Sequence, residues 1–334
     1  LLKPRDFAIY VNDAADKTKF FVYPTEGTDW QDEVFKEALI YNMNFSASGG
    51  TKKSAYSFGL SYLDQDGIVG LSKSNYTRTT ARYSYQYDML KNLKLSTTGI
   101  YTNSKKNNLP EGGIGSVLYS TVNLNPNLPV RDENGAYSLV EEIKQIELIN
   151  PLAQIANTFN TATVDKFSAT VGIDYTFWEH FTASSKFQMN HATVLDDVFR
   201  PEVNYGPSKG NNVALGKNEV VDYGGTFDDY TWDNYINYTN TFNEDHNLTV
   251  LLGTSIFQTT GEFYGLSGYT LKNGSNSFSD ASIDNLEGEV KPRFNESQLA
   301  IGSNVFDTRL QSAFTRVQYN YKGKYLFSGV FRRD

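Results

Sequence analysis

Along much of the chain, apolar residues return at every second position. From residue 167 onward, Phe167, Ala169, Val171, Ile173, Tyr175 and Phe177 alternate with Ser168, Thr170, Gly172, Asp174 and Thr176. Successive side chains of a strand point to opposite faces, so this spacing predicts a strand with one oily and one wet side. The period recurs in Tyr56, Phe58, Leu60 and Tyr62 against Ser57, Gly59 and Ser61. It recurs again in Leu248, Val250 and Leu252 against Thr249, Leu251 and Gly253. A strand crossing a bilayer needs about 9–11 such residues with its polar set facing a lumen, and these segments reach that length.

Read this way, the chain predicts about ten strands, near 40–49, 53–64, 75–87, 93–103, 163–177, 181–191, 229–242, 248–262, 311–321 and 325–334. Their connections alternate in length. Short turns fall at Gly49 to Lys52, Asp88 to Asn92, Trp178 to His180, Asn243 to Asn247 and Lys322 to Lys324, whereas 104–162, 192–228 and 263–310 are long. Short turns at one rim and long loops at the other are the rhythm of an outer-membrane barrel. Aromatic residues crowd the short turns: Tyr85 and Tyr87, Phe177, Trp178 and Phe181, Phe242, then Tyr319, Tyr321, Tyr325 and Phe327. Rings with a polar edge settle where hydrocarbon meets headgroups, so this crowding reads as a girdle at one membrane face. The competing reading is a soluble β-sandwich or solenoid with an aromatic core, which does not require the turn rhythm.

Composition narrows the classes further. The 334 residues include 23 Tyr and 22 Phe, yet mean hydropathy is −0.46. No window approaches the roughly 18 apolar residues of a spanning helix, so a membrane role must use strands. Cysteine is absent, which removes disulfides, thiolate metal sites and a cysteine nucleophile. A net charge of −8 without a basic stripe argues against a nucleic-acid partner. The start LLKPRDFAIY carries no signal pattern and the end FSGVFRRD falls within an alternating run, so both ends read as cut.

The chemical motifs mostly have structural explanations. Asp64-Gln65-Asp66-Gly67 lacks the later ligands of a calcium loop, having Asn75 where a Glu is needed, and reads as a tight turn. Gly49-Gly50-Thr51-Lys52-Lys53-Ser54 lacks phosphate-loop spacing and reads as a hairpin. His180, His191 and His246 are scattered, so no metal site or catalytic triad is assigned. Asp196-Asp197 and Asp228-Asp229 are adjacent pairs, which point to opposite faces of a strand and cannot flank one glycosidic bond. No catalytic residue and no cofactor are expected. Within the first long loop, Ser138 and Glu141 form a capping box ahead of Leu139, Ile143, Ile146 and Ile149, predicting one short helix that Pro151 stops.

Several phrases together carry a family resemblance. Thr28 to Phe35 (TDWQDEVF), Asn44 to Thr51 (NFSASGGT), Lys53 to Tyr56 (KSAY), Tyr62 to Val69 (YLDQDGIV), Tyr76 to Arg82 (YTRTTAR), Asn123 to Pro129 (NLNPNLP), Asn150 to Ala153 (NPLA) and Phe331 to Asp334 (FRRD) stand in one order. This ordered set, spanning nearly the whole chain, resembles the SusC/RagA-like TonB-dependent transporters of Bacteroidetes outer membranes. The resemblance implies an all-β fold: an antiparallel transmembrane β-barrel segment, about ten strands of a plugged barrel of roughly 22. Residues 1–39 would form an extracellular loop leading into a partial barrel over 40–334, without signal peptide, TonB box, plug domain or the last strands.

The resemblance further implies import of oligosaccharides or peptides, with a SusD-like lipoprotein as lid, the TonB complex as energy source and the lipid bilayer as surroundings. Loop aromatics Tyr119, Tyr137, Tyr205, Tyr264 and Tyr269 are candidate ligand-stacking platforms, and Ser168, Thr170 and Asp174 are candidate lumen contacts. A passive porin or a surface adhesin on a similar barrel stays open as an alternative, and a surface hydrolase is a more distant third.

Overall fold

The computed structural model describes residues 27–109, 113–140, 147–210, 212–213, 216–293 and 305–334. The long strands predicted from the alternation all form: β1 (Ile40–Gly50), β2 (Ser54–Gly67), β3 (Leu71–Leu90), β4 (Leu93–Asn107), β5 (Phe159–Phe177), β6 (Phe181–Arg200), β7 (Glu219–Phe242) and β8 (His246–Tyr269). A two-residue β9 (Lys291–Pro292) comes next, followed by β10 (Val305–Tyr321) and β11 (Tyr325–Arg333). Each long strand pairs antiparallel with the next in one meander, β9 adding to β8, while β1 and β11 each have one neighbour among the described residues.

The register carries side-chain parity across the whole sheet. One row runs Tyr101, Phe167 and His191, another Val171, Phe187, Trp232 and Ile256. These rows share a face with Phe45, Leu60, Tyr83 and Phe331, all well exposed although apolar. An exposed apolar face of this extent is the signature of a lipid-facing surface. Phe167 to Phe177 rises about 33 Å along the strand, or about 25 Å along the membrane normal at a tilt near 40°, which matches a barrel's apolar band. Within the belt, Trp232 donates its indole N–H to Ser185 Oγ at 3.0 Å, so the one polar atom of the ring is paired.

Both edges of the belt are marked chemically. Above Phe167 the outward face turns polar: Tyr101 donates its hydroxyl to Asp165 at 2.6 Å, and His191 meets Asp228 at 2.6 Å. Below it the girdle forms, with Tyr85 on Tyr87 at 6.2 Å, Phe177 on Phe181 at 5.6 Å and Phe181 on Tyr238 at 4.8 Å between ring centres. Three of the short turns place two successive residues at positive φ, Trp178–Glu179, Asn243–Glu244 and Lys322–Gly323. Paired left-handed residues let a tight hairpin follow the strand twist. Trp178 accepts this conformation at a turn tip, 79% exposed, with its ring edge-on to Phe177 at 5.3 Å.

Two local expectations are corrected. Asp64 to Gly67 is not a turn: β2 runs through it with a bulge between Gln65 and Gly67, and the chain reverses at Gly70, whose φ is +71°. The reason is that the Asp66 N–H is taken by the Leu39 carbonyl at 3.0 Å, extending the ladder. Likewise Pro151 does not stop a helix but starts one. Asn150 caps it, accepting from the N–H groups of Leu152 and Ala153, and Pro at the first position has no N–H to leave unpaired. Residues 141–146 of the expected loop helix lie outside the described residues, and Ser138–Val140 beside them is not helical.

The helices are α1 (Trp30–Val34), α2 (Val117–Asn123) and α3 (Pro151–Ala156). With the long loops they build a cap beyond the outer rim, and the buried apolar core lies there. Val34, Leu109, Val117 and Ile155 form one cluster, Trp30, Leu124, Val140 and Leu148 a second, and Phe199, Val220, Leu271 and Leu286 a third.

The parity assignment has a direct test. Val171→Lys puts a charge in the middle of the apolar belt and should cost about 2–4 kcal/mol, whereas Thr170→Lys, one residue away on the wet face, should cost little. Denaturant unfolding of the full-length barrel in vesicles reads the difference. Equal costs would mean the faces are assigned wrongly.

Candidate functional site

The inner wall presents the other parity. Its lower part carries Asp174, which accepts a hydrogen bond from Ser184 Oγ at 2.5 Å, and Lys186, which stands opposite Asp233 with its ammonium 5.6 Å from the Tyr235 ring centre. Higher on the wall Asn190 donates to Asp229 at 2.9 Å. Ser168 and Thr170 lie on this face beside Ile100 and Thr98 of β4. The acidic pairs split as their adjacency requires: Asp229 is inward beside Asn190 while Asp228 is outward beside His191.

At the outer end the wall opens into a cavity of about 760 Å³, bordered by Asn108, Ser116, Phe199, Arg200, Tyr205 and Tyr269. Its floor is an ion-pair network. Glu219, whose side chain is 7% exposed, accepts from Arg200 at 2.6 Å and also pairs with Arg293. Two guanidinium groups compensate one buried carboxylate, so the site holds net positive charge at the end of the lumen. Lys73 reinforces this rim, donating to the Thr158 carbonyl at 3.0 Å with its ammonium 3.5 Å from the Phe159 ring centre. Desolvation by burial pulls its pKa down.

The structure sorts the predicted ligand residues. Tyr205 and Tyr269 come together in the cavity, Tyr205 buried enough that desolvation pushes its phenol up to about 12. Tyr137 packs behind Tyr205 with the Arg131 guanidinium 4.3 Å from its ring centre. Tyr119 packs against the core around Trp30, so its ring supports the cap. Tyr264 and Tyr269 belong to β8, not to a loop, because β7 and β8 continue past the belt to Glu219 and Tyr269. Tyr264 is on the outward face, filling the space over Gly224, and stands apart from the cavity. Asp174 is inward, near the short-turn end. Arg200, Glu219 and Arg293 were not legible as a site, since the alternation fades where the strands leave the membrane.

A separate acidic patch sits on the outward side of the same strand extensions. Asp197 and Asp222 are directly opposed across β6 and β7, and Asp284 lies close by. Burial, with the charges of Asp197 and then Asp284, raises Asp222 to about 6.

These geometries meet the comparisons with known proteins. No protein-family model matches the sequence. TonB-dependent receptor P3 of Formosa agariphila is 27% identical over the whole chain, which covers 32% of that protein. TonB-dependent receptor P39 of the same organism is 26% identical over 92% of the chain and 27% of its own length. TonB-dependent receptor SusC of Bacteroides thetaiotaomicron is 24% identical over 60% of the chain and 21% of its length. The chain thus spans about a third of the length of the curated relatives it matches best in extent. Among solved structures, that of the RagAB peptide transporter superposes with a TM-score of 0.72 at 16% identity, over 98% of this chain and 36% of the other.

The phrases that carry the resemblance also converge in space. Thr28 donates its N–H to the Pro126 carbonyl at 2.8 Å, and Trp30 donates its indole N–H to the Asn125 carbonyl at 3.2 Å. Val34 packs with Val69 and Leu152, so four phrases separated along the chain build one cap.

Two outcomes test the site. Removing Glu219 as Glu219→Ala leaves Arg200 and Arg293 without their shared acceptor and should cost roughly 1.5–3 kcal/mol locally. Limited proteolysis of the full-length protein should then cut the 201–218 and 270–293 loops faster, and an unchanged pattern would mean the network is dispensable. For Asp222, the folded value of about 6 lies above the ordinary 3.8, so the folded state holds the proton more tightly. Its stabilising contribution is complete below pH 4 and is lost as pH rises through 6. Hydrogen exchange in the 283–285 turn should therefore slow as pH falls through 6, after correction for intrinsic rates, and Asp222→Asn should abolish that dependence.

By strand register, exposed apolar belt and sequence likeness together, the chain is folded as the wall of an outer-membrane β-barrel and is similar to TonB-dependent receptors, SusC among them.

Proposed function

We propose that the full-length protein imports an oligosaccharide or peptide across the outer membrane, driven by TonB, with this segment providing wall and outer vestibule. The observation that supports this most is the continuity of the wet face, which runs from Asp174 near the short turns up to the cavity at Arg200 and Glu219. A polar path joining a mouth cavity to a lumen suits passage of a hydrophilic cargo. The relatives named as TonB-dependent receptors, SusC among them, support energy coupling by TonB. A SusD-like lipoprotein would cover the cap, and binding followed by gated release, not bond cleavage, would be its work.

Uptake of labelled oligosaccharides and peptides by cells with and without the gene, and with and without TonB, tests this reading. Import should require both. Uptake that needs the gene but not TonB would make the barrel a porin, and surface binding without uptake would make it an adhesin.

A further inference from the structure

The inner wall carries a cationic strip that the mouth network does not explain. Arg78 and Arg82 on β3, Lys106 on β4 and Lys166 on β5 all have the inward parity. Arg78 stands beside Ser104, Arg82 beside Ile100 and then Ser168, Lys166 beside Thr102 and then Thr80, and Lys106 beside Ala162. All four are exposed. None takes part in an ion pair among the described residues. With strands about 4.8 Å apart and alternate residues about 6.7 Å apart along a strand, the four span roughly 20 Å of wall.

Their height matters. Ser168, level with Arg82, neighbours Phe167 at the upper edge of the apolar belt, so the strip occupies the outer part of the lumen, leading inward from the mouth. Most inward carboxylates are engaged elsewhere, Asp88 with Lys94, Asp174 with Ser184, Asp229 with Asn190 and Asp233 opposite Lys186, while Asp196 stands two strands from Lys106 across Ala162. Asp88 and Asp174 lie lower, toward the short turns, so the upper wall of β3, β4 and β5 carries inward cations without inward carboxylates on the same strands. Arg82 is also fitted into it, because Gly59 directly opposite leaves the space its side chain occupies, a Cβ there falling 3.0 Å from Arg82 Cγ.

Resting on the import reading, we propose that the strip recognises an acidic oligosaccharide, one bearing carboxylate or sulfate groups along its length. Unpaired cations in a confined channel raise the local concentration of an anion. Spacing over roughly 20 Å favours a linear polymer with recurring charge over a single small anion. Hydroxyls between the cations, Thr80, Thr102, Ser104 and Ser168, supply donors and acceptors that match sugar hydroxyls.

The test uses the purified full-length protein titrated with an oligogalacturonate, with its carboxyl-reduced neutral counterpart and with an oligoglutamate of equal charge. Exposed charge contacts weaken with salt, so the acidic glycan should bind about tenfold or more tightly than the neutral one at low salt, with the gap narrowing at high salt. The combined variant Arg78→Gln, Arg82→Gln, Lys106→Gln and Lys166→Gln should close the gap while its heat-shifted gel mobility stays that of a folded barrel. Arg78→Lys with Arg82→Lys, which keeps the charge, should retain it. Equal affinity for the acidic and neutral glycans, or a gap that survives the Gln variant, overturns the proposal. Oligoglutamate binding as tightly as oligogalacturonate overturns the saccharide assignment. Uptake independent of TonB, with the acidic preference intact, would instead overturn the import reading alone.

Discussion

The constraint on which the rest of this structure depends is that hydrocarbon offers backbone groups no partner. Within the belt each strand must spend its N–H and C=O groups on its neighbours, and an antiparallel meander with hairpin turns does this with the shortest connections. Once the ladder is fixed, parity follows: every second residue faces lipid and the rest face the lumen. Phe187, Trp232 and Ile256 share the outer face because the register leaves them no other. Ser185 sits where it can take the Trp232 N–H, so even the polar atom of that belt residue is paired.

Beyond the belt the constraint changes, and the chain changes with it. Water can satisfy the backbone, so the strand extensions and loops are free to pack on each other, and the buried core forms there around Ile149, Phe199 and Leu271. Asn150 ties this cap together: while its side-chain oxygen caps α3, its amide donates to the carbonyls of Val130 at 2.9 Å and Ser138 at 3.3 Å. A buried amide with both ends engaged fixes the loops to one arrangement. That rigid cap places Tyr205 against the cavity where Arg200, Glu219 and Tyr269 converge.

Function in this reading is electrostatic more than it is chemical. Glu219 between two arginines organises the mouth, and the unpaired cations of β3, β4 and β5 follow it inward above the carboxylates Asp88 and Asp174 of the same strands. No step of bond making is needed for such a surface to select cargo; it needs charges held in place by a wall that does not yield.

The sequence by itself determined the strands, their faces and the girdle, because period-two alternation is imposed locally by lipid on one side and water on the other. It also showed the hairpin at Gly49 to Lys52 and the inward position of Asp174. It did not show the extensions of β6, β7 and β8, where both faces meet water or protein and alternation loses its cause; Tyr269 therefore read as a loop residue. Nor did it show that Pro151 begins a helix, since starting and stopping are decided by whether Asn150 turns its side chain onto the following N–H groups. Only the tertiary structure decided that Thr28 to Phe35 docks on Asn123 to Pro129, and that Arg200, Glu219 and Arg293 meet. Those contacts join residues far apart along the chain, and no local pattern encodes which distant partner a loop will find.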